Sequence, residues 1–122
     1  MAKPLPEFSF AFQPIVDSHT GEAFAYEALV RGPQGQPASS VFPLVDKADI
    51  YRFDRECRIA AVTLAAKLDM RSYLHINCLP GALLDPDNGI NTTLTTAREC
   101  GFPSDRIVIE LFEQTAADDG II

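Results

Sequence analysis

Residues 26–32 are Tyr26-Glu27-Ala28-Leu29-Val30-Arg31-Gly32, a short apolar run with a carboxylate in its middle. Such a run is typical of a buried strand, and an ionised glutamate inside a strand is costly unless a cation accompanies it. Arg31 follows at the point where the strand is expected to end. Glu27 is therefore expected either to pair with an arginine, Arg31 or Arg106, or to bind a metal ion.

The same pattern recurs twice downstream. Tyr73-Leu74-His75-Ile76-Asn77 is an apolar run that ends in a carboxamide, and Arg106-Ile107-Val108-Ile109-Glu110-Leu111-Phe112-Glu113 ends in two carboxylates. In βα barrels the active site lies at the carboxyl ends of the strands, so these oxygen donors are expected around one rim. Oxygen donors without histidine or cysteine suit Mg²⁺, Ca²⁺ or Mn²⁺. Taken singly, Asn77 could be a turn residue and one glutamate could face solvent, so the joint pattern carries the interpretation.

Strand and helix patterns alternate along the chain. We predict strands at 8–14, 22–30, 72–78 and 106–112, and helices at 41–48, 50–69 and 91–100, the last capped by Asn91 and stopped by Gly101. The first two strands are joined by a short turn and should be antiparallel. Later strands alternate with helices, which indicates βαβ units and an α/β fold.

The long helix at 50–69 should bury one apolar face. Its apolar positions keep a spacing of three or four residues, while most of its charges lie elsewhere on the helical wheel. The predicted core positions are Phe53, Cys57, Ala60, Ala61, Leu64 and Leu68.

Composition excludes several classes of protein. The 122 residues carry a net charge of −7, which argues against binding duplex DNA or RNA through a broad basic face. The three cysteines form no C-x-x-C pair, so we expect neither a disulfide framework nor a zinc site. The first residues contain no apolar signal segment, and no apolar run is long enough to span a membrane, so a cytoplasmic location is expected.

The remaining polar candidates carry weaker signals. His75 lies in an apolar strand and is expected to be a core or interface histidine, whereas His19 lies in a solvated turn. Cys78 is expected to be a small buried hydrophobe. Asp118-Asp119 fits a solvated helix or turn better than a metal pair.

Four motifs occur in order along the chain: Phe12-Gln13-Pro14-Ile15-Val16-Asp17, Glu27-Ala28-Leu29-Val30-Arg31, Ile76-Asn77 and Glu110-Leu111-Phe112-Glu113. Together they resemble the EAL-domain family of bacterial cyclic-di-GMP phosphodiesterases. Other segments are most similar to EAL domains fused to BLUF blue-light sensors, which makes a BLUF-like sensor domain an expected partner. These segments are Arg31-Gly32-Pro33, Phe53-Asp54-Arg55-Glu56-Cys57-Arg58 and Ile76-Asn77-Cys78-Leu79-Pro80.

The resemblance implies a modified TIM barrel whose first strand runs against the others, of which this chain would be the N-terminal half. It implies hydrolysis of cyclic-di-GMP to linear pGpG with Mg²⁺ or Mn²⁺. The roles it assigns are metal binding by Glu27, Asn77 and Glu110, dinucleotide contact by Gln13 and Arg31, and support of an active-site loop by Glu113.

Residues 1–122 correspond to only the first half of the family's domain, since a TIM barrel needs about 250 residues. We expect a partial EAL domain that lacks the second-half catalytic residues, is inactive alone, and self-associates through the open strand edge at 106–112. One alternative is a degenerate EAL module that binds cyclic-di-GMP or a protein without hydrolysis. Another is a small α/β interaction domain with no nucleotide role, which the four ordered motifs make improbable.

Overall fold

The fold is built on a single sheet. A computed structural model describes residues 4–112 of the chain. Its strands are β1 (Ser9–Val16), β2 (Ala23–Arg31), β3 (Tyr73–Cys78) and β4 (Ile107–Leu111), and they lie side by side in sequence order. β1 is antiparallel to β2, whereas β2, β3 and β4 are parallel. The predicted hairpin, the βαβ units and the antiparallel first strand are confirmed.

Helices join the parallel strands, as predicted. They are α1 (Ala38–Val41), α2 (Ile50–Lys67), α3 (Pro80–Leu83) and α4 (Ile90–Cys100), with 3-10 turns at Phe42–Leu44, Lys47–Asp49 and Ser104–Arg106. The predicted stop of α4 at Gly101 is confirmed, because this glycine takes a left-handed φ of 73° that favours glycine. Between residues 4 and 112, every helix is too short or too polar to cross a membrane.

Two helix predictions are wrong in part. The helix expected over 41–48 is instead the end of α1 followed by two 3-10 turns, because Pro43 has no N–H to donate back into α1. The N-cap of α4 is Gly89 rather than Asn91. A Cβ atom on Gly89 would lie 2.5 Å from the carbonyl oxygen of Asp85, so the chain can turn into α4 here only with glycine.

The two faces of the sheet differ in character because successive strand residues point to opposite sides. One face packs against α2 and α4. Its core comprises Ala28, Leu74 and Ile76 from the sheet with Ala61, Val62, Ala65, Ala97 and Phe102 opposite them. The other face carries Gln13, Glu27, His75, Asn77 and Glu110. In a βα barrel the helix-covered face is the outside, so this polar face corresponds to the barrel interior.

The buried face of α2 differs from the predicted one. Phe53, Cys57 and Ala61 are buried as expected, but Leu68 at the end of the helix is 60% exposed. Asp54 and Arg58, which the helical wheel placed outside, are buried instead, with 4% and 0% of their surface exposed. The core-facing side of α2 is therefore partly polar.

Asp54 and Arg58 can be buried because they form hydrogen bonds with each other and with several backbone groups. Arg58 Nε donates to Asp54 Oδ2 at 3.1 Å, and Arg58 Nη1 donates to Thr93 Oγ1 at 2.7 Å and to the Gly89 carbonyl at 3.1 Å. The Leu79 N–H donates to Asp54 Oδ1 at 3.2 Å. One ion pair thus joins α2 to the end of β3 and to the start of α4.

Thr93→Val should lower the free energy of unfolding by about 1.5–3 kcal/mol, because a buried guanidinium loses an acceptor while side-chain volume and β-branching are kept. Urea denaturation measures this change. Thr96→Val is the matched control on the same helix, since the Thr96 hydroxyl donates only to a carbonyl of α4. Equal destabilisation by the two substitutions would contradict the role given to the Arg58 network.

The three cysteines should differ sharply in reactivity. Burial raises the pKa of Cys57 well above its usual value, and burial together with the Asp54 charge raises the pKa of Cys78 to about 12. Cys100 is exposed, and all three are free thiols. The raised pKa keeps Cys78 protonated at pH 8, and the thiolate is the reactive form. Intact-mass analysis after brief iodoacetamide treatment should show one modification natively and three in urea. Rapid native labelling of Cys78 would contradict this account.

Candidate functional site

The candidate site lies on the polar face of the sheet, toward the carboxyl ends of β2, β3 and β4. Asn77 in β3 is the direct neighbour of Glu110 in β4, and Glu27 in β2 is the direct neighbour of His75 in β3. The sequence prediction that the oxygen donors of three strands meet at one rim is consistent with this register. Parallel strands produce the arrangement because their carboxyl ends meet at one edge of the sheet.

Glu27 and Asn77 form a hydrogen-bonded pair. Asn77 Nδ2 donates to Glu27 Oε2 at 3.1 Å across β2 and β3, and both residues are half-buried. Within residues 4–112, the Glu27 carboxylate therefore accepts from a carboxamide and not from an arginine. The expected alternative partner, Arg31, instead donates from Nη1 to the carbonyl of Val30 at 2.9 Å.

Glu110 has a different partner. His75 Nδ1 donates to Glu110 Oε1 at 2.6 Å, and the two side chains are 20% and 39% exposed. Sequence reasoning assigned His75 to the core or to an interface, and this contact was missed. The signal was present, because a period of two residues places His75 on the same face of β3 as Asn77.

Gln13 and Arg31 flank the carboxylates. Gln13 is the cross-strand neighbour of Glu27 in the β1–β2 hairpin, so both side chains leave the sheet on one face. Arg31 is the last residue of β2. Glu113 lies outside the described residues.

A cavity of about 370 Å³ opens beside the Glu27–Asn77 pair. Glu27, Asn77 and Arg31 line it together with aromatic side chains that include Phe42 and Phe112. Glu110 is not among its lining residues. Most of the lining is apolar and includes Ala28 and Ile76 from the helix-covered face, and the same cavity brings Glu27 and Asn77 together with Arg31.

Asp54 lines the same cavity and holds the carboxyl end of β3 in place. Burial raises the pKa of Asp54 above its ordinary value, although Arg58 and the Leu79 N–H oppose this shift. Its carboxylate also accepts a hydrogen bond from Cys78 Sγ at 3.4 Å. The residues on either side of this contact, Asn77 and Leu79, are thereby held in register.

The predicted ligands have the chemistry that a hard cation needs, and Glu27 and Asn77 lie together. Glu27, Asn77 and Glu110 offer carboxylate and amide oxygens, which Mg²⁺, Mn²⁺ and Ca²⁺ prefer. The amide nitrogen of Asn77 bonds to Glu27, which leaves its amide oxygen for a cation. Among residues 4–112, however, no three His, Cys, Asp or Glu side chains group closely enough to hold a metal. Glu110 contacts His75 rather than the Glu27–Asn77 pair.

Comparison with known proteins identifies the family. A model of the EAL domain matches residues 3–120. The chain is 47% identical to a standalone versatile EAL protein from Vibrio cholerae O395, solved with c-di-GMP bound, with a TM-score of 0.79 over 88% of this chain and 45% of that one. It is 30% identical to Klebsiella pneumoniae BlrP1 in a calcium and cyclic-diGMP complex, with a TM-score of 0.81 over 95% of this chain and 30% of that one.

A curated relative from Escherichia coli K12 is also similar to this chain. The blue light- and temperature-regulated antirepressor BluF is 27% identical over 105 residues, which cover 85% of this chain and 26% of that protein. The chain thus spans about a quarter of this relative and less than half of the two solved relatives described above. The fold matches part of the EAL barrel, and the chain belongs to the EAL domain family.

Proposed function

We propose that this chain supplies the first half of a cyclic-di-GMP phosphodiesterase site, which in a complete domain hydrolyses cyclic-di-GMP to linear pGpG. The observation that carries the proposal is the Glu27–Asn77 pair, which lies beside Arg31 at the cavity between the β2 and β3 strand ends. Family membership supports it, because two relatives were solved with the cyclic dinucleotide bound.

Glu27, Asn77 and Glu110 would hold the divalent cation, Mg²⁺ or Mn²⁺. BlrP1 was solved with manganese as well as with calcium, which supports this class of metal. Bound there, the cation would stabilise the negative charge that develops on the phosphate oxygens during hydrolysis. The Nδ2 bond from Asn77 orients the Glu27 carboxylate before any cation arrives.

Arg31 and Gln13 would bind the dinucleotide. A guanidinium meets a phosphate with two parallel hydrogen bonds, and the position of Arg31 at the cavity suits the phosphate being cleaved. The Gln13 amide lies one strand away, next to Glu27, and can donate to or accept from the nucleotide. Both residues orient the substrate on the polar face.

In the proposed reaction, a water oxygen forms a bond to one phosphorus, and the bond from that phosphorus to a ribose oxygen breaks. The leaving oxygen takes a proton, and the ring opens to linear pGpG. The residues described here bind and orient the substrate. We propose that the groups which activate the water come from the second half of a complete domain, with Glu113 steadying a loop beside them, so residues 1–122 alone are inactive.

A second function is a module that binds cyclic-di-GMP or a protein without hydrolysis. One observation favours it: among residues 4–112, no three His, Cys, Asp or Glu side chains group closely enough to hold a metal. Such a site would retain Gln13 and Arg31 for binding.

The sheet edge and the relatives support two proposed partners. β4 is the last strand of the described sheet, so its outer backbone groups can pair with a further strand. We propose self-association through this edge. The similarity to BluF supports a BLUF-like sensor as a functional partner, in a cytoplasmic signalling protein.

Calorimetry with cyclic-di-GMP tests the proposal, with Ca²⁺ present to prevent turnover. We expect binding by the 122-residue chain and a loss of about ten-fold or more in Arg31→Ala, because a charge-assisted contact to phosphate disappears. Arg71→Ala is the matched control, since Arg71 is an exposed arginine outside the cavity. Absence of binding, or equal binding by Arg31→Ala, would contradict a nucleotide site on this chain.

Fusion to the second half of the Vibrio cholerae EAL domain separates the two functions. Formation of pGpG by the fusion, lost in Glu27→Gln, supports the phosphodiesterase. Tight binding with no hydrolysis favours the binding module.

A further inference from the structure

His75 occupies a particular place in the sheet. It lies in the strand between Glu27 and Glu110, two residues before Asn77 and on the same face. Its direct cross-strand neighbours are Glu27 in β2 and Val108 in β4. Its imidazole nevertheless contacts Glu110, two residues beyond Val108 along β4. Glu110 therefore bonds to His75, which lies two residues before Asn77, its own cross-strand neighbour.

The contact with His75 leaves one carboxylate oxygen of Glu110 free to bind a cation. His75 Nδ1 engages Oε1 alone, at 2.6 Å. The second carboxylate oxygen, Oε2, makes no described hydrogen bond and 39% of the Glu110 side chain is exposed. His75, at 20% exposure, is the more fixed partner, since it is held in the central part of the sheet.

We infer that His75 is a positioning residue that holds the Glu110 carboxylate on the rim so that its free oxygen can join Glu27 and Asn77 around a cation. This inference rests on the proposed function. Partners that hydrogen-bond a ligating carboxylate restrict its rotation before the metal arrives, and their removal typically weakens metal binding about 10–100-fold.

The opposite role makes a distinct prediction. If His75 withheld Glu110 from the cation, removal of the imidazole would free the carboxylate and strengthen metal binding. If His75 only filled space in the sheet, an apolar residue of similar size would leave metal affinity unchanged. The direction of the change in affinity therefore separates the three roles.

Titration of the 122-residue chain with Mn²⁺ by calorimetry, at pH 8 throughout, tests the inference. We expect His75→Leu to bind Mn²⁺ about 10–100-fold more weakly than the wild type. His75→Gln should recover most of the affinity, because its amide can donate to Glu110. His19→Leu, which removes the chain's other histidine from an exposed turn, should bind like the wild type. Thermal unfolding of His75→Leu without metal should resemble that of the wild type.

Glu27→Gln distinguishes failure of this inference from failure of the proposed function. If the wild type binds no Mn²⁺, both are contradicted. If the wild type binds, Glu27→Gln does not and His75→Leu binds equally well or better, the role of His75 is overturned while the metal site stands.

Discussion

The buried ion pair of Asp54 and Arg58 is the interaction on which the arrangement depends. Burying two charges is expensive unless their hydrogen-bonding groups are satisfied, and here the partners come from separate parts of the chain. Arg58 binds the Gly89 carbonyl and the Thr93 hydroxyl at the start of α4, while Asp54 accepts the Leu79 N–H at the end of β3. These bonds fix both the rotation of α2 about its own axis and its position along the sheet. That constraint fixes the strand end that carries Asn77, and the Glu27–Asn77 bond then joins this strand to β2.

The fold was largely predictable because it follows from local patterns. The period-two alternation around Phe10 and Phe12, the short turn after β1 and the apolar runs of β3 and β4 specify a hairpin followed by parallel strands. The misplaced charges of α2 have one physical cause, since a helical wheel counts charges as exposed. It cannot detect that Arg58 finds acceptors about thirty residues away, at Gly89 and Thr93. The cap of α4 is Gly89 rather than Asn91 for a local reason, because a Cβ atom at position 89 would clash with the carbonyl oxygens of Leu83 and Asp85.

The sequence indicated which residues belong to the candidate site. It did not indicate which of their side chains contact one another. Strand ends placed Glu27, Asn77 and Glu110 near one rim, yet residue type alone could not assign partners. Glu27 pairs with a carboxamide where an arginine was one expectation, and Glu110 pairs with His75, which sequence reasoning treated as a core or interface residue. Side-chain direction within a face depends on which neighbour offers a donor. Such information becomes available only when the strands are in register.

We propose that the Glu27–Asn77 pair marks a divalent-metal site on the polar face of the sheet. Its most direct test is an anomalous difference map from crystals of the chain grown with Mn²⁺ and cyclic-di-GMP. We expect a peak about 2.0–2.6 Å from a carboxylate oxygen of Glu27 and from the amide oxygen of Asn77. An ordered rim with no peak at this position, or a peak held entirely by other residues, would contradict it.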